Sequence, residues 1–523
     1  WLPMVDYLPK TSRGARQARA IANEHAERAN ALGTWLVPGV FGTPQTSSPG
    51  YFLDQPLYEE MFGYMGLLPL LLLLVAPLER RTYYFGALVL LGVVLSLGID
   101  GGLYRAQYVL SPLARGFRAP GRALILTSIG LAGLAALALT RLLQMDGESR
   151  QHCLAPMLRR VFPIGLVALT AVTVLSTLTS SLVTSPAQVR AEFLAEQLGL
   201  TTVFWTLSGI ALWSWTQDKH PKAQAAFALT FCIIVLDLWH ATWPLVDTDK
   251  VALSPIWQAA QERVPRGPAA QYGRVMQTIP PKGITNGASW TGHDASQGYD
   301  PLVPELWWQL IQYADWSPNT TISRLMSVRY ILTDADFRAA GTPGTERFIE
   351  LPSDGPFRFY ENPEALPRAY MAGRYEVEPD PQLTLVRLAV GHADGGELVL
   401  LTHDPGCPVS AGDSDVQIER YQPNSVTIRV SATNPGMLVL LDQYDDDWEV
   451  TVDSARSSLL RANYAFRGVC VPAGDHSVRF DYRPQAYYWG RTISLVGLSV
   501  VVLWLVWAAF GASRLSHRRD RGR

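Results

Sequence analysis

The arginines of this chain are the side chains whose spacing most suggests chemistry. In the run Arg115-Gly116-Phe117-Arg118-Ala119-Pro120-Gly121-Arg122, three guanidiniums recur within eight residues on a backbone shaped by glycine and proline. A guanidinium fork matches the oxygens of a phosphate, so Arg115, Arg118 and Arg122 suit the phosphate of a lipid-linked substrate. The plainer alternative is that these side chains reach lipid headgroups while their stems lie on apolar surface. Carboxylates near the same surface are few: Asp54, Glu59, Glu60 and Asp100. Glu59 and Glu60 are the candidates for a base or a substrate contact, and each is also readable as a solvated loop residue. Asp445-Asp446-Asp447 suggests a cation site at first sight. Its place between two strand-like segments, just before Trp448, reads instead as a solvated turn. The chain has no phosphate-binding glycine loop, no GxSxG, no dinucleotide fingerprint, no HExxH, no CxxC and no clustered histidines. No metal site is therefore expected and no cofactor is called for, with a divalent cation left open.

These residues need elements to hold them, and the composition points to a bilayer. The chain has 523 residues with 17% charged, and its mean hydropathy is +0.07. A formal net charge of -2 gives no field that would draw nucleic acid. Apolar residues come in blocks at about 62–78, 83–99, 121–143, 161–183, 200–216, 224–243 and 490–511. A hydrocarbon core of about 30 Å needs roughly 20 apolar helical residues, so these read as about seven spans; the first, second and fifth are short enough to be tilted or re-entrant. Arg80 and Arg81, then Arg141 to Arg160, then Lys219 and Lys222, then Arg514 to Arg523 fall on one side if the blocks alternate. That side is the cytoplasmic one by the positive-inside rule. Trp239, Trp243, Tyr487, Tyr488 and Trp489 then lie at the outer interface.

The expected fold is a polytopic α-helical membrane protein with an extracytoplasmic α/β plus β-sandwich domain. Residues 1–61 read as an external loop or amphipathic segment and 62–243 as a membrane domain of six spans. Residues 244–394 read as a mixed α/β region, with helices near 254–264 and 302–314 and strands at 328–333, 357–360 and 369–377. Residues 395–484 alternate polar and apolar with turns every 8–12 positions, which is the pattern of a β-sandwich. A final span at 490–511 precedes a basic tail at 512–523. Cys407 and Cys470 fall together in the exported sandwich and are expected to form a disulfide, whereas Cys153 and Cys232 fall in a cytoplasmic loop and a span. The chain opens on Trp1 without an initiator Met or basic leader, so it reads as a fragment of a longer protein.

Several runs, taken in order along nearly the whole chain, resemble the YfhO family of bacterial membrane proteins, which is similar to GT-C glycosyltransferases using polyprenyl-linked sugars. They include Val37-Pro38-Gly39-Val40-Phe41-Gly42, Tyr64-Met65-Gly66-Leu67-Leu68-Pro69-Leu70 and Gly116-Phe117-Arg118-Ala119-Pro120-Gly121-Arg122. Farther on come Gly298-Tyr299-Asp300-Pro301, Ser327-Val328-Arg329-Tyr330-Ile331, Tyr360-Glu361-Asn362, Tyr421-Gln422-Pro423-Asn424 and Val471-Pro472-Ala473-Gly474-Asp475-His476. One departure is Tyr444-Asp445-Asp446-Asp447-Trp448, where the family has Tyr-Tyr-Pro-Gly-Trp. Another is the catalytic acid, which the resemblance places in an early external loop that this chain does not contain.

The resemblance implies a multi-pass protein of the bacterial cytoplasmic membrane with its large domain outside. It implies partners of three kinds: membrane lipid, a polyprenyl-phosphate-linked sugar, and a cell-envelope polysaccharide or teichoic-acid-like acceptor. The alternatives are a non-catalytic envelope protein with a glycan-binding sandwich, and a transporter of lipid-linked sugars. A transporter would need ionisable groups at mid-membrane, for which Asp237 is the plain candidate.

Overall fold

The computed structural model describes residues 2–11, 33–40, 63–98, 102–103, 105–106, 120–182, 186–217, 220–243, 253–265, 273–278, 286–298, 302–315, 320–334, 347–353, 355–393 and 396–520. The chain divides into two compact units, one of Gln17–Lys250 and one of Trp1–Arg16 with Val251–Arg523.

The first unit is helical. Its main helices are Arg80–Ser96, Leu124–Gln144, Phe162–Leu182, Pro186–Ser214 and His220–Thr242. Helix Gly147–Pro156 begins at Asp146, whose carboxylate accepts from the Ser149 amide at 3.2 Å. Pro156 lacks the amide that would continue the regular ladder, and a π-helical turn, Met157–Val161, carries the chain into Phe162–Leu182. Leu68, Leu72, Leu142, Leu154 and Trp215 form its centre. Trp215 donates from Nε1 to the Thr230 hydroxyl at 2.9 Å.

Among the described residues, four helices are long and apolar enough to cross a membrane: Pro120–Gln144, Gly147–Thr179, Gln224–Thr242 and Gln485–Trp507. The expectation of about seven spans is thereby reduced to four that the described residues support. Block 62–78 yields only the helix Leu67–Leu72 and a tight turn, Leu73–Val75, because Gly66 sits at φ 90° before it and Pro77 follows. That is about 14 Å of helix at 1.5 Å per residue, half the hydrocarbon core. Block 83–99 lies in a helix of 17 residues, Arg80–Ser96. Block 200–216 lies mostly in Pro186–Ser214, whose first half carries Arg190, Glu192 and Glu196. Outward apolar side chains such as Ile164, Val167 and Leu175 are 64–69% exposed. Surface of that kind is at home against lipid tails.

The second unit is β-rich. Strands β1 (Arg274–Gln277), β2 (Val328–Thr333), β3 (Ile349–Leu351) and β4 (Arg358–Glu361) make a sheet of order β1-β2-β4-β3, with β1 parallel to β2. Helix Pro255–Arg263 packs on it through Ile256, Trp257 and Ala260. Six more strands follow: β5 (Ala369–Ala372), β6 (Arg374–Val377), β7 (Leu398–Leu401), β8 (Ser414–Gln422), β9 (Ser425–Ala432) and β10 (Gly436–Gln443). The last five are β11 (Trp448–Val452), β12 (Ala455–Ser457), β13 (Leu460–Ala462), β14 (Phe466–Val471) and β15 (Gly474–Tyr482). They form a six-stranded sheet, β5-β10-β14-β13-β7-β6, and a five-stranded sheet, β12-β11-β15-β9-β8. The six-stranded sheet takes strands from both sides of residue 394.

These two sheets bury residues against each other: Leu438, Leu440 and Val469 from one, Ile428, Val430 and Phe480 from the other. The opposite face of β10 turns Met437, Val439 and Leu441 toward helices Glu305–Asp315 and Pro381–Ala389. A strand covered on both faces must be apolar at every position, which explains the unbroken run Met437 to Leu441. Strand β9, covered on one face, buries every second residue, Val426, Ile428, Val430 and Ala432. Cys407 and Cys470 form a disulfide with Cα atoms 6.4 Å apart, tying the loop after β7 to β14.

Candidate functional site

Of the residues singled out by sequence, Glu59, Glu60, Arg115 and Arg118 lie outside the described residues, as do Asp54 and Asp100. Arg122 is exposed on the tight turn Pro120–Ala123 that opens helix Leu124–Gln144. Asp237 is committed elsewhere. Its Oδ1 accepts from the Tyr64 hydroxyl at 2.6 Å and its Oδ2 from the Leu67 amide at 2.8 Å. With both oxygens used to fasten the start of Leu67–Leu72, Asp237 serves as a lock between elements, which weakens the transporter alternative.

The β-rich unit holds two constellations that spacing did not show. The first is a buried charge cluster on Asp442. Its Oδ1 accepts from Arg274 at 2.9 Å and from Arg368 at 3.0 Å. Its Oδ2 accepts from the Tyr421 hydroxyl at 2.8 Å and faces Arg467 at 3.4 Å. Burial opposes ionisation of Asp442, but the surrounding guanidiniums outweigh it and hold the carboxyl below the usual carboxylate range. Arg467 leaves Nε and Nη1 without hydrogen bonds and lies over the Trp448 ring, 3.7 Å from its centroid. A cation over an indole face recovers part of what those lost bonds would give. The cluster joins all three sheets, since Arg274 is on β1, Asp442 and Arg467 on the six-stranded sheet, and Tyr421 on β8.

The second is a cavity of about 370 Å³. Its rim comes from five places in the chain: Pro9 and Lys10, Pro304 to Leu306, Thr402 and His403 after β7, Gln443 to Asp446 after β10, and Arg461 on β13. The N-terminal lip is fastened twice. Thr11 bridges to Pro304 in the manner of a strand pair. Lys10 reaches Asp445 at 3.2 Å and Asp447 at 3.9 Å. Burial works against the charge of Lys10, but Asp445 outweighs it and raises the ammonium above its ordinary value. The triple aspartate is thus more than a solvated turn: Asp445 is buried and paired, and Asp446 is exposed beside the cavity. Asp446 accepts from the Tyr444 hydroxyl at 2.7 Å. Among the described residues no carboxylate pairs with Arg461, and no group of three His, Cys, Asp or Glu could hold a metal ion. Sequence carried two signals of this site, the acidic departure at Tyr444-Asp445-Asp446-Asp447-Trp448 and the place of Lys10 among the cations of the external segment 1–61; His403 and Arg461 gave none.

Residues 410–494, which run from before β8 into the helix Gln485–Asp520, match the family described as bacterial membrane protein YfhO. Over these residues the chain is similar to that family. No curated protein and no solved structure shows a significant match to it. The YfhO segment contains the acidic loop, Arg461, Asp442 and Arg467, while Lys10, His403 and Arg368 come from outside it. Its last residues enter the apolar helix Gln485–Trp507, so the YfhO match joins the five-stranded sheet to a candidate span.

Proposed function

We propose that this chain works as a GT-C-type membrane glycosyltransferase, moving a sugar from a polyprenyl-phosphate donor to a cell-envelope polymer at the outer membrane face. The observation that carries the reading is the YfhO match over residues 410–494, on a chain with four helices able to cross a bilayer. In the reaction an acceptor hydroxyl oxygen bonds to the sugar's anomeric carbon as the bond from that carbon to the phosphate oxygen breaks. The hydroxyl proton passes to a carboxylate, which is the early-loop acid that the resemblance implies or, within this chain, Glu59 or Glu60, and the polyprenyl phosphate leaves as an anion. Arg115, Arg118 and Arg122 are assigned to that phosphate, where a guanidinium in a partly dehydrated cleft stabilises the developing charge far better than in water. Burial of a phosphate donor among external arginines also gives those residues a use that the positive-inside rule does not.

The test is transfer by the protein reconstituted in nanodiscs, with radiolabelled polyprenyl-phosphate hexoses and envelope polymer. Removing a donor that meets developing charge costs roughly 10²–10³ in rate. Arg118→Ala is expected to show a loss of that order, and Arg118→Lys a substantial one, since lysine keeps the charge without the fork. Wild-type rates for both would overturn the phosphate assignment. No transfer from any donor by the intact protein would overturn the enzyme reading.

A further inference from the structure

We propose that the cavity between Lys10, His403, Tyr444, Asp446 and Arg461 binds a saccharide of one or two rings. The chemistry of the walls selects the ligand class. A volume of about 370 Å³ lies within the range of roughly 300–1,000 Å³ usual for small-molecule sites. Pro9, Pro304 and Leu306 give the lining apolar surface on which the C–H face of a pyranose can lie. The remainder alternates acceptors and donors. Asp446 is exposed and spends one oxygen on Tyr444. Arg461 brings a guanidinium from β13, which pairs with no carboxylate among the described residues. A carboxylate and a guanidinium lining one small cavity are complementary to a vicinal diol, which donates to the one and accepts from the other through charge-assisted bonds.

The charge balance argues against a simple ion. Lys10 is engaged by Asp445, so the cavity is not dominated by free cations that would gather phosphate. Asp445 is likewise engaged, so it offers no open carboxylate pair for a metal. Glu305 also lines the cavity and accepts from Gln309, so among the described residues the Arg461 guanidinium and one Asp446 oxygen are left, with His403 and Gln443 beside them. A neutral polyhydroxylated ligand uses all of these. Saccharide binding stands on this geometry alone; assigning the bound sugar to the acceptor polymer rests on the glycosyltransferase reading.

Saturation-transfer NMR on the full chain in nanodiscs tests the proposal, with maltose, cellobiose, lactose, diacetylchitobiose and glycerol phosphate as probes. At least one disaccharide is expected to bind. Asp446→Ala and Arg461→Ala are each expected to weaken it about tenfold or more, the scale of one lost charge-assisted bond. Asp415→Ala, exposed on β8, should leave it unchanged. Asp446 is exposed, so its substitution tests the site even if Arg461→Ala does not fold. Binding by no disaccharide, binding indifferent to Asp446→Ala, or binding of glycerol phosphate alone would overturn the proposal. Sugar binding without any transfer would keep the site and remove its acceptor role.

Discussion

Asp442 shows how much of the β-rich unit turns on one side chain. It is 6% exposed and accepts from three elements of the fold. Asp442→Asn would leave the buried Arg274 and Arg467 guanidiniums without their counter-charge and Arg368 with Asp294 alone, and removing one partner of a buried pair costs about 3–5 kcal/mol. Denaturant unfolding of the protein in detergent should show that loss, while Tyr421→Phe should cost about 1.5–3 kcal/mol, the worth of a hydrogen bond to a charge. A change below about 1 kcal/mol for Asp442→Asn would mean the cluster is not the keystone the distances suggest. A second residue pair carries a pH signature. His476 Nδ1 lies 2.6 Å from Asp453 Oδ2, and that hydrogen bond raises the imidazole above its ordinary value while lowering the Asp453 carboxyl. A raised folded value means that the pair's contribution is complete below about pH 6.5 and fades as pH rises through the folded value. NMR titration should therefore place His476 above about 6.5, and Asp453→Asn should return it there. Neither constellation was legible in the sequence. Arg274, Arg368 and Arg467 are separated by about a hundred residues each, so no local spacing marks them. The cysteines were legible as a pair because two thiols in one region that reads as exported have few other fates.

Elements were more readable than contacts, and the misses have local causes. Strand β2 occupies the residues its alternation indicates, 328–333. The stretch 369–377 reads as one strand but is two, divided at Gly373, where a Cβ would come within 2.4–2.6 Å of the Ala411 backbone. Strands β12 and β13 have three residues each, too short to show a period. Helix Pro381–Ala389 was hidden by a neighbouring strand pattern, although Asp380 caps it and Pro381 opens it. Glycines set the packing in the helical unit. A Cβ on Gly130 would meet the Phe85 carbonyl at 2.7 Å and the Val89 amide at 2.9 Å, and one on Gly92 would meet the Thr127 amide at 2.7 Å. Helices Arg80–Ser96 and Leu124–Gln144 therefore touch backbone to backbone in antiparallel order, as small residues allow. Since backbone cannot swing aside, Gly130→Leu must part the helices. Overpacking of this kind costs about 1–3 kcal/mol. A thermal scan in detergent should show a clear drop for Gly130→Leu and little change for Gly86→Leu, where a Cβ has nothing within 4 Å.

At the scale of the whole molecule, one helix decides which side of the membrane receives the β-rich unit. Apolar blocks announced membrane helices plainly, but length and hydropathy could not say which of them cross, and a sheet drawing strands from 369–377 and 398–471 is invisible to composition. Helix Pro186–Ser214 is the uncertain crossing, because its first half is charged. Its second half lies antiparallel along Phe162–Leu182: Trp205 donates from Nε1 to the Phe162 carbonyl at 3.0 Å, the two rings stack 6.1 Å apart, and Gly209 receives Phe162. A helix laid along a candidate span is placed to cross beside it. If it crosses, the linker bearing Arg150, Arg159 and Arg160 lies on the same side as the tail from Arg514, and the β-rich unit lies opposite. If it does not, linker and tail fall on opposite sides and the β-rich unit shares the linker's side. The positive-inside rule favours the first arrangement, since it gathers the arginines of both segments in the cytoplasm. Native Cys153 reports on the linker directly, and Ser516→Cys and Asp415→Cys report on the tail and the β-rich unit in a Cys232→Ser background; the latter two also need Cys153→Ser. An impermeant maleimide should label position 415 in intact cells, and Cys153 and position 516 only after permeabilisation. Labelling of Cys153 and position 415 from the same side would show that Pro186–Ser214 does not cross. The β-rich unit would then face the cytoplasm or the linker would face outward, and a transferase meeting its acceptor outside would be untenable in the first case.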